Sequence, residues 1–196
     1  MLNIKSIRGR LGLLFLAFVL LVSFSVGATY WGIATQRQDA LIINLAGRQR
    51  MLTQKMTWLA LAQPENPELS TSIELFAQSL QALQYGGETT DSSGNIVLLP
   101  PAPDSDLNVQ LNEVTQTWKE FRSYLEPVDT STLPVIAPLI LDQLDAVVTA
   151  FEARAEAKHL RLELIQVGFW IAAIALLVWG FIDTRQMIVK PLSDLS

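Results

Sequence analysis

Two long apolar runs without any charged residue constrain this chain more than any other feature of its sequence. No Asp, Glu, Lys or Arg occurs between Arg10 and Arg37, or between Glu163 and Asp183. A helix needs about 20 apolar residues to cross the hydrocarbon core of a membrane, and both runs are of that order. The sequence therefore predicts a two-pass membrane protein, with the lipid bilayer as a partner.

The positive charges that flank the two runs predict the orientation of the chain. Lys5, Arg8 and Arg10 precede the first run, and Arg185 and Lys190 follow the second. Lys and Arg are enriched in the cytoplasmic segments next to membrane spans. Both ends are therefore expected in the cytoplasm and the intervening segment outside it, which in a bacterium means the inner membrane and the periplasm.

These runs divide the chain into five expected parts. They are a cytoplasmic N-terminus (1–10), a first transmembrane helix (11–34), a periplasmic domain (35–165), a second transmembrane helix (166–182) and the start of a linker (183–196). A cleaved signal peptide is the alternative interpretation of the first run. That run is longer than the roughly 7–15 apolar residues of a signal peptide, so a retained span is favoured.

Composition limits what the outer domain can bind. Residues 36–165 contain 17 acidic and 9 basic residues, hence a net charge of −8, and the chain has no cysteine. An acidic surface disfavours nucleic acid and anionic lipid as partners. The lack of cysteine excludes disulfides and thiolate metal sites.

Catalytic patterns give no indication of an enzyme. The sequence contains no recognisable nucleophile, phosphate-binding loop or paired catalytic acids, so we expect neither enzymatic activity nor a cofactor. The only histidine, His159, shares a predicted helix face with Glu152, Glu156 and Glu163. Such a face could bind a metal, but charged helix faces are far more often solvated, so no metal site is predicted.

Helical spacing of apolar residues dominates the outer domain. It predicts helices over about 35–63, 69–85 and 107–125, and a fourth that starts near Leu133 and continues into the second span. One long loop, 86–106, is expected between the second and third helices, with its apolar part packed as an extended cover. The predicted fold is all-α: a membrane-anchored antiparallel four-helix bundle whose outer two helices continue the transmembrane helices.

The stretch "DALIINLAGRQRM" places a glycine and two arginines inside the first of these helices. Glycine costs about 1 kcal/mol in a helix interior, and a desolvated guanidinium costs more unless it is paired. On a helical wheel, one apolar face is suited to the bundle core: Leu41, Leu45, Leu52, Met56 and Leu59. A second face follows steps of three and four residues, as in a coiled coil: Ala40, Ile43, Gly47, Arg50, Gln54, Thr57 and Leu61.

The second face predicts a homodimer through helix 1. In a two-fold dimer Arg50 lies near Arg50 of the other copy, and Gly47 lets the two backbones approach. Two guanidinium groups near one axis could together bind a planar oxyanion through in-plane hydrogen bonds. Arg50 and Gly47 are the predicted ligand residues, with Ile43, Asn44 and Gln54 as supporting or seam residues.

Arg48 is expected to have a different role from Arg50. Two residues correspond to about 200° of rotation along a helix, so the two side chains leave it in different directions. The expected partner of Arg48 is an acidic residue on a neighbouring helix.

The same stretch resembles the P-box of NarX/NarQ-type nitrate and nitrite sensors, with the approximate pattern D-A-x-x-I-N-x-x-G-x-x-R-M. The longer "NLAGRQRMLTQKM" is similar to the PilJ-type sensor domain of chemotaxis transducers. Gly86-Gly87, the "LPPAP" turn at 99–103 and Trp118 also fit that type. The resemblance implies a periplasmic four-helix bundle that dimerises through helix 1, with one anion held by Arg50 of both copies and by backbone near Gly47.

The last residues, "DTRQMIVKPLSDLS", resemble the opening of a HAMP linker, which implies a cytoplasmic signalling module in cis, such as a histidine kinase, a chemotaxis signalling helix or a cyclase. Two functions are therefore compatible with the sequence. The first is a transmembrane receptor module that senses nitrate, nitrite or a similar small anion. The second is a receptor domain that responds to a protein, a surface or the membrane without a small ligand.

Overall fold

A computed structural model describes residues 7–102 and 104–185 of the chain. The elements follow in this order: α1 (Ile7–Ala62), α2 (Glu68–Tyr85), β1 (Gly87–Thr90), β2 (Ile96–Leu99), α3 (Ser105–Ser123) and α4 (Leu133–Thr184). The four helices begin and end within a few residues of the predicted positions, and the predicted all-α fold of four helices, two of them long and apolar, is confirmed. Residues 186–196, which carry most of the HAMP-like segment, lie outside the described residues, as does Pro103 of the "LPPAP" turn.

The chain forms two compact units. One comprises residues 36–156, and the other comprises the described residues up to 35 together with those from 157 onward. Helices α1 and α4 each contribute to both units, because neither helix is interrupted at the boundary.

The unit of residues 36–156 has one continuous hydrophobic core contributed by all four helices. Phe76 of α2 stacks against Trp118 of α3 with ring centroids 4.1 Å apart, and the ring centroid of Phe121 lies 6.1 Å from that of Trp118. Leu45 and Met56 complete the core from α1, and both are buried, as the sequence predicts. Aromatic packing of this kind stabilises beyond the area it buries.

Polar side chains and one glycine define the helix ends. Asp104 accepts a hydrogen bond from the backbone N–H of Leu107 at 2.9 Å and thereby caps α3. Before α4, hydrogen bonds from Ser131 and Thr132 hold the pKa of Asp129 far below its ordinary range. Gly86 ends α2 with φ of 77°, and a Cβ there would lie 2.8 Å from the nitrogen of Pro101, so no other residue fits without displacement.

The segment between α2 and α3 differs from the predicted loop, because it contains a β-hairpin. Strands β1 and β2 pair antiparallel, with Gly87 opposite Leu99 and Thr90 opposite Ile96. The turn is built around Asp91, which accepts hydrogen bonds from the backbone N–H groups of Ser93 and Asn95. The bonds from Asn95 lower the pKa of Asp91. Four-residue strands are too short to give a clear alternation in the sequence, which is why the pattern missed them.

The other unit holds the two apolar segments. The ranges Gly9–Ala62 and Leu133–Asp183 each contain a stretch that is long and apolar enough to cross a membrane, and no part of that stretch is buried. Polar contacts between the described residues of the two segments include Arg10 Nη1 to Asp183 Oδ1 at 3.0 Å and Gln166 Nε2 to Thr29 Oγ1 at 3.3 Å.

Candidate functional site

A polar groove lies between α1 and α4 of the 36–156 unit and has a volume of about 490 Å³. Its α1 wall carries the predicted ligand residues Gly47 and Arg50, and its α4 wall carries two carboxylates. The lining residues are Gly47, Arg50, Met51, Gln54, Pro138, Leu141, Asp142 and Asp145. Of the predicted residues, Gly47, Arg50 and Gln54 thus lie on one wall of an open groove, whereas the opposite wall comes from a helix almost a hundred residues later.

Arg50 lies half-exposed in this groove and forms an ion pair with Asp145 of α4. The contact joins Nη1 of the guanidinium to Oδ1 of the carboxylate, and the two side chains are 43% and 55% exposed. Pairs as exposed as this one contribute little to stability, because water competes for both groups. The guanidinium is therefore held in place but stays accessible to a dissolved anion.

Gly47 leaves open space on the same face of α1. Within the described part of the chain, and apart from the two adjacent residues and the local helix backbone, no heavy atom lies within 4 Å of a Cβ built at this position. Packing inside one copy of the chain therefore does not require a glycine here. Close approach of a ligand or of a second backbone would be a reason for a glycine at this position.

Arg48 points to the β-hairpin, away from the groove. Its Nη1 donates to the backbone oxygen of Thr90 at 2.8 Å and to that of Asp91 at 3.0 Å. The expectation of an acidic side chain on a neighbouring helix is therefore wrong. The hairpin turn presents carbonyl oxygens, which also accept charged hydrogen bonds, and a turn of this kind could not be placed beside α1 from sequence alone.

The supporting residues differ in their exposure. Ile43 is half-buried and packs against the core, whereas Asn44 and Gln54 are exposed. Met51 and Trp58 are also exposed on the open side of α1, about two helical turns apart. The homodimer and the roles of these residues in it stay predictions.

Sequence reasoning missed the buried polar residue Gln49. It is 0% exposed, and its Nε2 donates to Ser79 Oγ at 2.6 Å and to the Phe76 carbonyl at 3.4 Å. Its Oε1 is buried without a hydrogen-bond partner among the described residues. Gln49 lies four residues from Leu45 and from Thr53, and this spacing could have identified it as part of the core face.

The face around His159 does not assemble into a metal site. His159 Nε2 lies 3.2 Å from Glu163 Oε1, and both side chains are more than half exposed. Among residues 7–102 and 104–185, no group of three or more His, Cys, Asp or Glu side chains is arranged to hold a metal ion.

Comparisons with known proteins give a family match and a similar curated protein. Residues 31–138 match the family PilJ, described as the N-terminal part of type IV pili methyl-accepting chemotaxis transducers. The nitrate/nitrite sensor protein NarQ of Escherichia coli (strain K12) is 24% identical over 191 residues, which is 97% of this chain. The chain spans only 32% of the length of that relative.

A solved structure gives a weaker likeness. The ligand-binding domain of the P. aeruginosa nitrate receptor McpN is 28% identical to this chain, of which it covers 58%, and 94% of that domain is covered. The TM-score is 0.49.

Proposed function

The chain belongs to the PilJ family of transducer N-terminal domains, and from this membership we propose that it is the sensing module of a bacterial two-pass receptor. The family description names the N-terminal part of a chemotaxis transducer, which is a signalling protein. We place the module in the inner membrane, with residues 35–165 in the periplasm, because positive charges flank the outer ends of both apolar segments. After the second apolar segment, the chain would continue into a HAMP linker and a cytoplasmic signalling module.

The proposed ligand is a small oxyanion, with nitrate as the first candidate and nitrite as the second. The observation that carries this proposal is the position of Arg50 beside Gly47 in an open polar groove, within the stretch that resembles the P-box. The name of the NarQ relative, a nitrate/nitrite sensor, supports the same ligand class. A guanidinium donates two parallel hydrogen bonds in its plane, which matches the flat geometry of nitrate.

Two copies of the chain would complete the site. In the proposed dimer, the open face of α1 packs against the same face of a second copy, and Gly47 permits close approach of the two backbones. Arg50 of each copy would then donate to one anion near the two-fold axis. The anion offsets the repulsion between two positive charges, so anion binding and the packing of the two α1 helices stabilise each other.

The signal would be a shift of α4 against α1. Both helices run without interruption from the 36–156 unit into the apolar segments. An anion that binds one packing of the helices better than another changes the populations of the two. The output is therefore a displacement at the far ends of these two helices, in the direction of the linker.

The test is nitrate titration by isothermal calorimetry on the whole chain in lipid nanodiscs. We expect Arg50→Ala to lose measurable nitrate binding while it keeps wild-type helical circular dichroism. Arg122→Ala, which removes an exposed arginine from α3, is the matched control and should bind like the wild type. Unchanged nitrate affinity in the Arg50 variant would contradict the assignment.

A second candidate function is a receptor domain that senses a protein, a surface or the membrane without a small ligand. The observation in its favour is the outer side of the hairpin region, where Tyr85, Ile96 and Leu98 are 67%, 76% and 71% exposed. Thermal melts with a panel of anions separate the two functions. Absence of any shift with nitrate, nitrite or other anions, alongside intact dimerisation, would favour the second.

A further inference from the structure

Asp145 is paired with the guanidinium that the proposed function assigns to the anion, so any role of Asp145 in anion binding rests on that function. Its Oδ1 accepts a hydrogen bond from Nη1 of Arg50. Asp145 lies beyond residues 31–138, where the family match ends. The ion pair therefore joins the motif-bearing helix to a residue that the sequence motif does not include.

The described lining of the groove has an unusual charge for an anion site. One positive group, Arg50, faces two carboxylates, Asp142 and Asp145. Arg50 and Asp145 neutralise each other in the ligand-free chain, and Asp142 then leaves a net charge of −1 in each copy. An incoming anion must therefore displace a carboxylate and tolerate a second one nearby.

We propose that Asp145 is the internal anion of this site, meaning the carboxylate of the chain itself that pairs with Arg50 when no dissolved anion is bound. We also propose that Asp145 determines which anions the site binds. In the ligand-free chain it occupies Arg50, an incoming oxyanion replaces it, and the displaced carboxylate selects monovalent over divalent anions. Coulomb repulsion scales with the product of the charges, so the carboxylates repel sulfate about twice as strongly as nitrate. The attraction of Arg50 also doubles for a dianion, but the lining holds two carboxylates and one guanidinium, so the net charge that a divalent anion meets is negative.

The exposure of the pair makes this exchange feasible. Both side chains are in contact with water, and exposed ion pairs are weak, so the displaced carboxylate can be hydrated without a large loss. A bidentate anion would gain a second hydrogen bond where Asp145 engages a single guanidinium nitrogen. Exchange also breaks the ion pair between α1 and α4. The two helices are then free to shift against each other, as the proposed signal requires.

The experiment compares nitrate and sulfate binding to the whole chain in nanodiscs at constant low ionic strength, where screening is small. In Asp145→Asn we expect nitrate affinity to rise about threefold to tenfold. Sulfate affinity should rise by roughly the square of that factor, because the removed repulsion is about twice as large for a dianion. The substitution is isosteric at an exposed position, so the variant should keep its helical content.

Asp142→Asn is the matched control. It removes a carboxylate from the same wall of the groove but leaves the Arg50–Asp145 pair intact, so both affinities should rise by less than in Asp145→Asn. The double variant Arg50→Ala with Asp145→Asn should bind neither anion. A gain that survives in this double variant would overturn the proposal, because the anion would then not be bound by Arg50.

Other outcomes separate this proposal from the proposed function. Weaker nitrate binding in Asp145→Asn, or an unchanged nitrate-to-sulfate ratio, would overturn the internal-anion role and leave the nitrate sensor intact. A wild type that binds no anion, together with an Asp145→Asn variant that binds one through Arg50, would contradict the sensor and support the internal anion. No binding by either protein would overturn both.

Discussion

The two sides of helix α1 in the 36–156 unit place polar side chains in different environments. On the side that faces the core, Gln49 is completely buried and bonded to Ser79, next to Phe76 and the aromatic stack of α2 and α3. On the other side, Arg50 is half-exposed in a groove and bonded to Asp145. The two polar residues are adjacent in the sequence and yet have opposite surroundings.

This difference predicts which property of the protein each side of α1 affects. The buried amide of Gln49 has lost its contact with water, and its Nε2 has protein partners instead, so its neighbours are fixed and a change at this position is costly. A guanidinium at the surface keeps part of its water and exchanges one partner for another at little cost. Residues on the core side should therefore change the free energy of unfolding, and residues on the groove side should change the binding of an anion.

The largest expected effect tests the core side. Phe76→Ala removes a ring that is 0% exposed and stacked on Trp118. We expect it to lower the free energy of unfolding by about 3–5 kcal/mol, because the cavity cannot be filled by its neighbours. Denaturant titration followed by circular dichroism measures this loss. A change below about 1 kcal/mol would show that the core side does not dominate stability.

An intermediate effect tests the two arginines against each other. Arg48→Ala removes both hydrogen bonds to the carbonyls of Thr90 and Asp91. We expect a loss of about 1–2 kcal/mol, because charged hydrogen bonds are strong but this side chain is only half-buried. Amide hydrogen exchange should speed up in the hairpin, while nitrate affinity stays within about twofold, because Arg48 donates to the hairpin and does not line the groove, and a charge outside the groove is partly screened by salt.

Arg50→Ala is the control for that experiment and should give the reverse pattern. Hairpin exchange should match the wild type, whereas nitrate binding is lost. If the two variants behaved alike, the separation between the hairpin side and the groove side of α1 would not hold.

The smallest expected effect sharpens the comparison at Gly47. Because a Cβ meets open space within the described chain, Gly47→Ala should raise the free energy of unfolding of a single copy by up to about 1 kcal/mol through better helix propensity. The same methyl group should hinder close approach of a second backbone, so nitrate affinity should fall by about tenfold, equivalent to about 1.4 kcal/mol. Denaturant titration under monomeric conditions and calorimetry measure the two quantities. Unchanged affinity would remove Gly47 from the proposed site.

Much of this architecture follows from the sequence because the signals are local. Uncharged runs around 11–36 and 164–182 predict the apolar helices, and apolar residues at steps of three and four predict the buried face that contains Leu45 and Met56. The ends of α1, two residues before Pro64, and of α2, directly before Gly86, are also local signals, since proline removes a backbone donor and glycine permits positive φ. The pattern around Gly47 and Arg50 predicts a site on one helix face, and that site stays a prediction.

Tertiary structure alone decided which distant residues meet that face. Arg48 and Arg50 are two positions apart, and rotation of about 200° predicts different directions but not different partners. The partner of Arg48 is a hairpin turn whose strands are too short for a periodic signal, and the partner of Arg50 is Asp145, 95 residues later. Periodicity records which side of a helix is apolar, whereas ion pairs depend on how separate helices align, and that alignment is set by packing of the whole unit.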